Sequence, residues 1–144
     1  MANQIWRDED NEGALKAVEK SSMFENNAHF LTFCAHYGVS INKKKKIKNR
    51  GPEIAIKTFQ PYLKDIFIVA LSHKQDIKLL YDEGACHEIF EQYANGGLTE
   101  ISKMINKKLG SDPEGIDTIT TLLQDLRNKI TSIEDEDDLS LPSV

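Results

Sequence analysis

Long apolar runs and cysteine are what this 144-residue sequence has least of. No stretch reaches about eighteen consecutive apolar residues, the length that a transmembrane helix needs. The first residues, MANQIWRDEDNEG, have neither the basic start nor the apolar run of a secretory signal. We therefore expect a cytoplasmic protein with no membrane partner. The two cysteines, Cys34 and Cys86, fall in apolar stretches, where a reducing compartment keeps them as small buried side chains.

Motifs for catalysis or cofactor binding are also missing. The chain contains neither GxGxxG nor the glycine-rich loop that ends in Lys and Ser or Thr. Cys34 and His36 lie about 200° apart around a predicted helix, and the adjacent Cys86 and His87 about 100° apart, so neither pair can chelate one metal ion. A zinc site would need both cysteines to meet in the fold with a histidine from each segment. We predict a non-enzymatic protein with no catalytic residue, no metal and no cofactor. A small nuclease or thiol hydrolase is the enzymatic alternative.

One short segment concentrates the positive charge. Residues 43–50, KKKKIKNR, carry six of the 18 basic side chains and no acidic one, although the chain has 23 acidic residues and a net charge of −5. Any nucleic-acid contact is therefore local, because the remaining surface repels polyanions. The predicted nucleic-acid-binding residues are Lys43, Lys44, Lys45, Lys46, Lys48 and Arg50.

These six side chains would contact successive DNA phosphates as point charges, without reading base sequence. If all six were engaged, counterion release predicts an affinity loss of about a thousandfold between 50 and 200 mM salt. Three other interpretations remain open: a merely solvated loop, a surface for an acidic protein partner, and a loop occupied by the chain's own acidic C-terminal segment.

Helical periodicity dominates the rest of the sequence. We predict helices over 9–20, 26–37, 62–73, 76–82, 85–94 and 98–110, with Gly38 ending the second and Asn95-Gly96-Gly97 ending the fifth. Between residues 39 and 59 the helical period disappears, and segments 39–41 and 54–56 predict a short β-hairpin, or an irregular loop, around the lysine run. The predicted fold class is mainly α, a helical bundle of six or seven helices forming a single domain over residues 1–133.

The last predicted helix opens with Asp112 and Pro113 and carries a regular apolar seam. The seam steps by three and four residues, so it either packs on its own domain or pairs with a partner or a second copy in a homodimer. The candidate interface residues are Ile116, Ile119, Leu123, Leu126 and Ile130. EDEDD follows at 134–138, where acids oppose the helix dipole, so we predict a flexible acidic tail over 134–144.

Residues 66–101, IFIVALSHKQDIKLLYDEGACHEIFEQYANGGLTEI, resemble a family of small proteins encoded beside bacterial genes for DNA phosphorothioation, the Dnd system-associated protein four family. The matching features are ALSH at 70–73, KQD at 74–76, Leu80, Asp82-Glu83 and FEQYANGGL at 90–98. The upstream FLTFCAHYG is similar to that family's Phe-Ala-Ala-x-x-Gly helix, although Cys34 and Tyr37 depart from its usual residues. The similarity spans roughly residues 24–101.

The resemblance implies a cellular context more than a mechanism. It predicts an accessory of a DNA modification or anti-phage defence system, with other proteins of that system as partners, and it transfers no catalytic residue. We expect such an accessory to act by DNA-backbone contact, by partner docking, or by both. The alternative is an adaptor or regulator that dimerises through its C-terminal helix and does not bind DNA.

Overall fold

The computed structural model describes residues 4–107, 114–125, 127 and 128, and its elements are mostly helical. The four helices with full bounds are α1 (Glu12–Ser21), α2 (Asn27–Ser40), α3 (Leu63–His73) and α4 (Glu83–Lys107), and a further helix, α5, covers 116–125. Two strands, β1 (Gln4–Asp8) and β2 (Arg50–Ala55), form a small antiparallel sheet. Shorter 3-10 segments lie at Glu9–Asn11, Ile56–Tyr62 and Ile77–Tyr81. The predicted mainly α fold is confirmed.

The 25-residue helix α4 is the element on which the others pack. It is about 37 Å long at 1.5 Å per residue. Phe90, Leu98 and Ile101 on α4 are fully buried, as are Leu31 on α2 and Ile66 on α3. The core therefore lies between α4 and the helices on either side of it.

Gly96 and Gly97 lie inside α4, so the prediction that they end a helix is wrong. A Cβ atom on Gly97 would overlap the carbonyl oxygen of Cys34 in α2, and one on Gly96 would overlap the carbonyl oxygen of Lys43. Gly38 likewise lies inside α2, where a Cβ atom would overlap the Tyr93 carbonyl oxygen. These glycines allow backbones to approach closely, and no helix ends at them. The predicted helices 85–94 and 98–110 are consequently one helix.

The predicted hairpin between 39–41 and 54–56 is also wrong. Residues 39 and 40 belong to α2, and β2 pairs instead with β1, with Ile5 opposite Ile54 and Trp6 opposite Glu53. Sequence reasoning missed β1 because a buried cation interrupts its apolar pattern. Arg7 is 6% exposed, and its Nε lies 3.1 Å from Glu12 Oε1.

The other predicted boundaries agree more closely with the structure. The predicted core helix 62–73 is α3, the first predicted helix is a 3-10 turn followed by α1, and 76–82 is the 3-10 segment Ile77–Tyr81. The predicted caps Asp112 and Pro113 and the acidic tail 134–144 lie outside the described residues. The single domain over 1–133 stays a prediction. None of the helices in the described part of the chain is both long enough and apolar enough to span a membrane.

Candidate nucleic-acid interface

The basic segment that the sequence singles out is held against α4 by its own backbone. The Lys43 N–H donates to the Gly38 carbonyl at 2.9 Å, and the Lys45 N–H donates to the Gln92 carbonyl at 2.9 Å. At its far end, the Asn49 carbonyl accepts from the Glu9 N–H at 3.0 Å. We call residues 43–50 the basic loop. Three backbone hydrogen bonds to three different elements give it a defined path.

Three consecutive residues of α4 place the elements around the basic loop. Asn95 is fully buried, and its Oδ1 accepts from the Asp8 N–H at 2.8 Å while its Nδ2 donates to the Trp6 carbonyl at 3.0 Å. Gly96 admits the Lys43 backbone, and Gly97 admits α2. The family-like stretch around Asn95 therefore positions β1, the basic loop and α2 on one helix.

The six predicted cations have different environments. Lys45 Nζ lies 3.0 Å from Oδ2 of Asp8, whose residue is 1% exposed, and the Arg50 guanidinium lies 4.8 Å from the centre of the Trp6 ring. These two side chains therefore have partners within the protein. Lys43, Lys46 and Lys48 are exposed, and no carboxylate of the described residues lies within ion-pair distance of them.

Lys44 lies beside two residues that were not among the predicted site residues, His73 and Tyr93. Its Nζ is 3.4 Å from His73 Nδ1 at the end of α3, and that same Nδ1 is 3.3 Å from Tyr93 Oη on α4. Lys44 Nζ also lies 5.9 Å from the centre of the Tyr93 ring. The available signal was the resemblance, because His73 and Tyr93 both belong to the stretches that carry it.

Two carboxylates lie near Arg50 at the end of the basic loop. A groove of about 320 Å³ there is lined by Trp6, Arg50, Glu88 and Glu91, among others. Glu91 Oε1 accepts from the Trp6 N–H at 2.7 Å. Burial raises the pKa of Glu91, while the Trp6 hydrogen bond and the nearby Arg50 act in the opposite direction. Carboxylates at this groove repel phosphate, so phosphate contact beside Arg50 is disfavoured.

The two cysteines are free and buried. Burial raises the pKa of the Cys34 thiol well above its ordinary value, and the Cys86 thiol donates to the Leu79 carbonyl at 3.3 Å. A buried neutral thiol is a poor nucleophile. In the part of the chain that the structure describes, no group of three or more His, Cys, Asp and Glu side chains is arranged to hold a metal ion.

The candidate interface residues of the C-terminal seam divide between core and surface. Ile119 is fully buried in its own chain together with Leu122, whereas Ile116 and Leu123 are 40% and 44% exposed. Leu126 and Ile130 lie outside the described residues. Among the described seam residues, Ile119 therefore packs on its own chain, while Ile116 and Leu123 remain exposed.

The fold and the site define a class of protein: small, mainly α-helical, with a basic loop held across the long helix α4. The sequence profile of the family described as DNA sulphur modification system-associated protein 4 matches residues 4–141, and the chain belongs to that family. The resemblance is thereby confirmed, and the match extends beyond the predicted 24–101 at both ends. Neither the curated proteins nor the solved structures contain a match.

Proposed function

We propose that this chain is a non-enzymatic accessory of a DNA sulphur modification system and that its basic loop contacts the DNA backbone. The family description supports the system to which it belongs. Both cysteines are buried, and the described residues hold no cluster of His, Cys, Asp and Glu that could bind a metal ion, so neither feature supports the enzymatic alternative.

One observation carries the DNA contact. Lys43, Lys46 and Lys48 are exposed along a backbone that hydrogen bonds hold in place. Lysine ammonium groups bind phosphates as point charges, so such a loop gives affinity without base readout. The net charge of −5 means that other surfaces repel DNA, which restricts contact to this loop.

The environments of the six cations lower the expected number of phosphate contacts. Lys45 and Arg50 already have internal partners, which leaves the exposed Lys43, Lys46 and Lys48, together with Lys44, which is also exposed but contacts His73. Counterion release then gives an affinity loss of about 40-fold for three contacts, or about 150-fold for four, between 50 and 200 mM salt. This is well below the loss of about a thousandfold for six contacts.

The test is replacement of Lys43, Lys46 and Lys48 by Gln, with duplex binding measured by fluorescence anisotropy at both salt concentrations. We expect the duplex affinity in 50 mM salt to fall by at least about 40-fold, the factor given above for three phosphate contacts. The dependence of the remaining affinity on salt concentration should also become weaker. The matched control replaces Lys16, Lys20 and Lys107, which are exposed on α1 and at the end of α4, by Gln. Equal loss in both variants, or no wild-type binding, refutes the proposal.

Exposed Ile116 and Leu123 favour a second candidate function, protein docking without DNA. A self-pairing α5 would bury both side chains, so Ile116→Glu with Leu123→Glu should convert a wild-type dimer to a monomer in light scattering. Ile77→Glu, at a residue that is 72% exposed elsewhere, is the control. A monomeric wild type rules out self-pairing.

A further inference from the structure

We infer that Lys44, His73 and Tyr93 form a binding site for one phosphate oxyanion, which we call the phosphate site. In the proposed function this oxyanion is a single phosphodiester group of the DNA backbone, and for that source the inference rests on the proposed function. The shared chemistry is a tetrahedral oxyanion that accepts several hydrogen bonds.

Three elements remote in sequence bring these side chains together. Lys44 lies 29 residues from His73, and His73 lies 20 residues from Tyr93. Tyr93 is only 4% exposed, so its hydroxyl position is set by packing on α4. Lys44 is flanked by the backbone hydrogen bonds of Lys43 and Lys45. Ordered groups of this kind lose little conformational freedom when they bind a ligand.

The three groups have more donors than acceptors. An unprotonated His73 Nδ1 offers one lone pair, but both Lys44 Nζ and the Tyr93 hydroxyl lie within hydrogen-bond reach of it. If Nδ1 instead carries the proton, it can donate to the Tyr93 oxygen, and it then offers no lone pair to Lys44 Nζ. In either state Nδ1 cannot accept from both Lys44 Nζ and the Tyr93 hydroxyl. An oxyanion accepts from Lys44 Nζ and the Tyr93 hydroxyl in either state, and also from His73 Nδ1 when that nitrogen carries the proton.

Charge around the phosphate site also favours an anion. No carboxylate oxygen of the described residues lies within ion-pair distance of Lys44. The Lys44 ammonium supplies a positive charge, and the Tyr93 hydroxyl adds a directed donor.

The first experiment follows the ring signals of His73 by NMR, assigned with the His73→Gln variant, while inorganic phosphate is added. Chloride at equal ionic strength is the control for simple screening. We expect phosphate, and a short DNA duplex in a parallel titration, to shift the His73 signals. Lys44→Gln and Tyr93→Phe should each weaken the response to phosphate by about tenfold, the lower end for a hydrogen bond to a charged group.

The second experiment measures duplex affinity. Tyr93→Phe removes a donor without changing charge, so binding should weaken by about tenfold at an unchanged salt slope. Lys44→Gln should weaken binding and reduce the salt slope by about 0.9. Tyr81→Phe, at a residue that is 89% exposed, is the matched control. Thermal melting checks each fold, and His73→Gln, an exposed position, provides a variant that leaves the core intact.

The outcomes separate the phosphate site from the proposed function. Equal duplex affinity of wild type and Tyr93→Phe overturns the phosphate site and leaves the function standing. A His73 response to inorganic phosphate without any duplex binding supports the site and overturns the function. If His73 responds to neither phosphate nor duplex, the phosphate site is overturned.

Discussion

At the residue scale, two polar side chains of α4 accept hydrogen bonds from the backbone of β1. Glu91 accepts from the Trp6 N–H, and Asn95 accepts from the Asp8 N–H. These donors point away from β2, so α4 supplies the acceptors that a further strand would otherwise provide. The polar residues of α4 are therefore as necessary for the small sheet as the pairing of its two strands.

Replacing Asn95 by Ala should lower the free energy of unfolding by about 3 kcal/mol, because the buried Asp8 N–H loses its acceptor along with the other Asn95 hydrogen bonds. Urea denaturation measures the change. Asn106→Ala, in an exposed position of the same helix, is the control and should change stability by less than about 0.5 kcal/mol. Equal effects would contradict the role of Asn95.

Glu91 should make stability fall as pH rises. Burial raises its folded pKa above the ordinary value of 4.5, so between the unfolded and folded pKa values the folded state binds more protons. Glu91→Gln keeps an oxygen for the Trp6 N–H but does not titrate. The variant should therefore gain stability relative to wild type from pH 4 to pH 7, as measured by urea denaturation. A constant difference between the two proteins would show that the carboxyl is not perturbed.

Sequence identified the charged residues but not their partners. Lysines in a run are visible by inspection, whereas the Lys45–Asp8 pair and the Lys44–His73 contact join residues that only the fold brings together. Hydrogen-bond and ion-pair partners that are about thirty residues or more apart in the chain leave no local pattern in the sequence. The basic loop could be predicted from the sequence, but the different environments of its six basic side chains could not.

At the scale of secondary-structure elements, the main error of prediction concerns Gly96 and Gly97 of α4. Glycine serves either a positive φ angle or a close backbone approach, and a sequence does not distinguish the two. The helical periodicity on both sides of Gly96-Gly97 indicated the continuous helix better than the glycines themselves did. The pairing of β2 with β1 was missed for a related reason, since the partner strand lies more than forty residues away in the chain. Helix α3, whose apolar run is continuous, was predicted within one residue.

Gly97→Ala should destabilise the protein by about 2 kcal/mol, because the new methyl group overlaps the Cys34 carbonyl and forces α2 away from α4. Gly13→Ala is the matched control: it is also helical, but a Cβ atom there meets nothing within 4 Å. That variant should be more stable by about 0.5 to 1 kcal/mol from helix propensity alone. Thermal unfolding compares the two, and stabilisation by both would show that α2 and α4 are not in backbone contact.

At the scale of the whole molecule, α5 ends near α2, the helix that precedes the basic loop in the chain. Gly115 lies against Ile105 and Val18, and α5 then runs to Asp125. The pKa of Tyr37 is raised by burial first and then by the carboxylates of Glu100 and Asp125. Tyr37 is six residues before Lys43. The five acids at 134–138 follow within a few residues of the described chain.

Deleting residues 134–144 should strengthen duplex binding by at least about threefold in 50 mM salt and by less in 200 mM salt, where screening weakens the competing acids. Anisotropy measures the effect. Replacing only Glu134 to Asp138 by Ser keeps the length and should give the same gain. Unchanged affinity in both variants would show that the acids do not compete with DNA for the basic loop.

Because α4 is unbroken over 25 residues, the distance between two positions along it serves as a fixed reference within the protein. Exposed Glu88 and Lys103 lie about 22 Å apart along its axis. Spin labels attached to cysteines at these two positions should report one separation with or without DNA, while the buried native thiols stay unlabelled. A third label at Lys48 would then assign any measured displacement to the basic loop, independently of affinity.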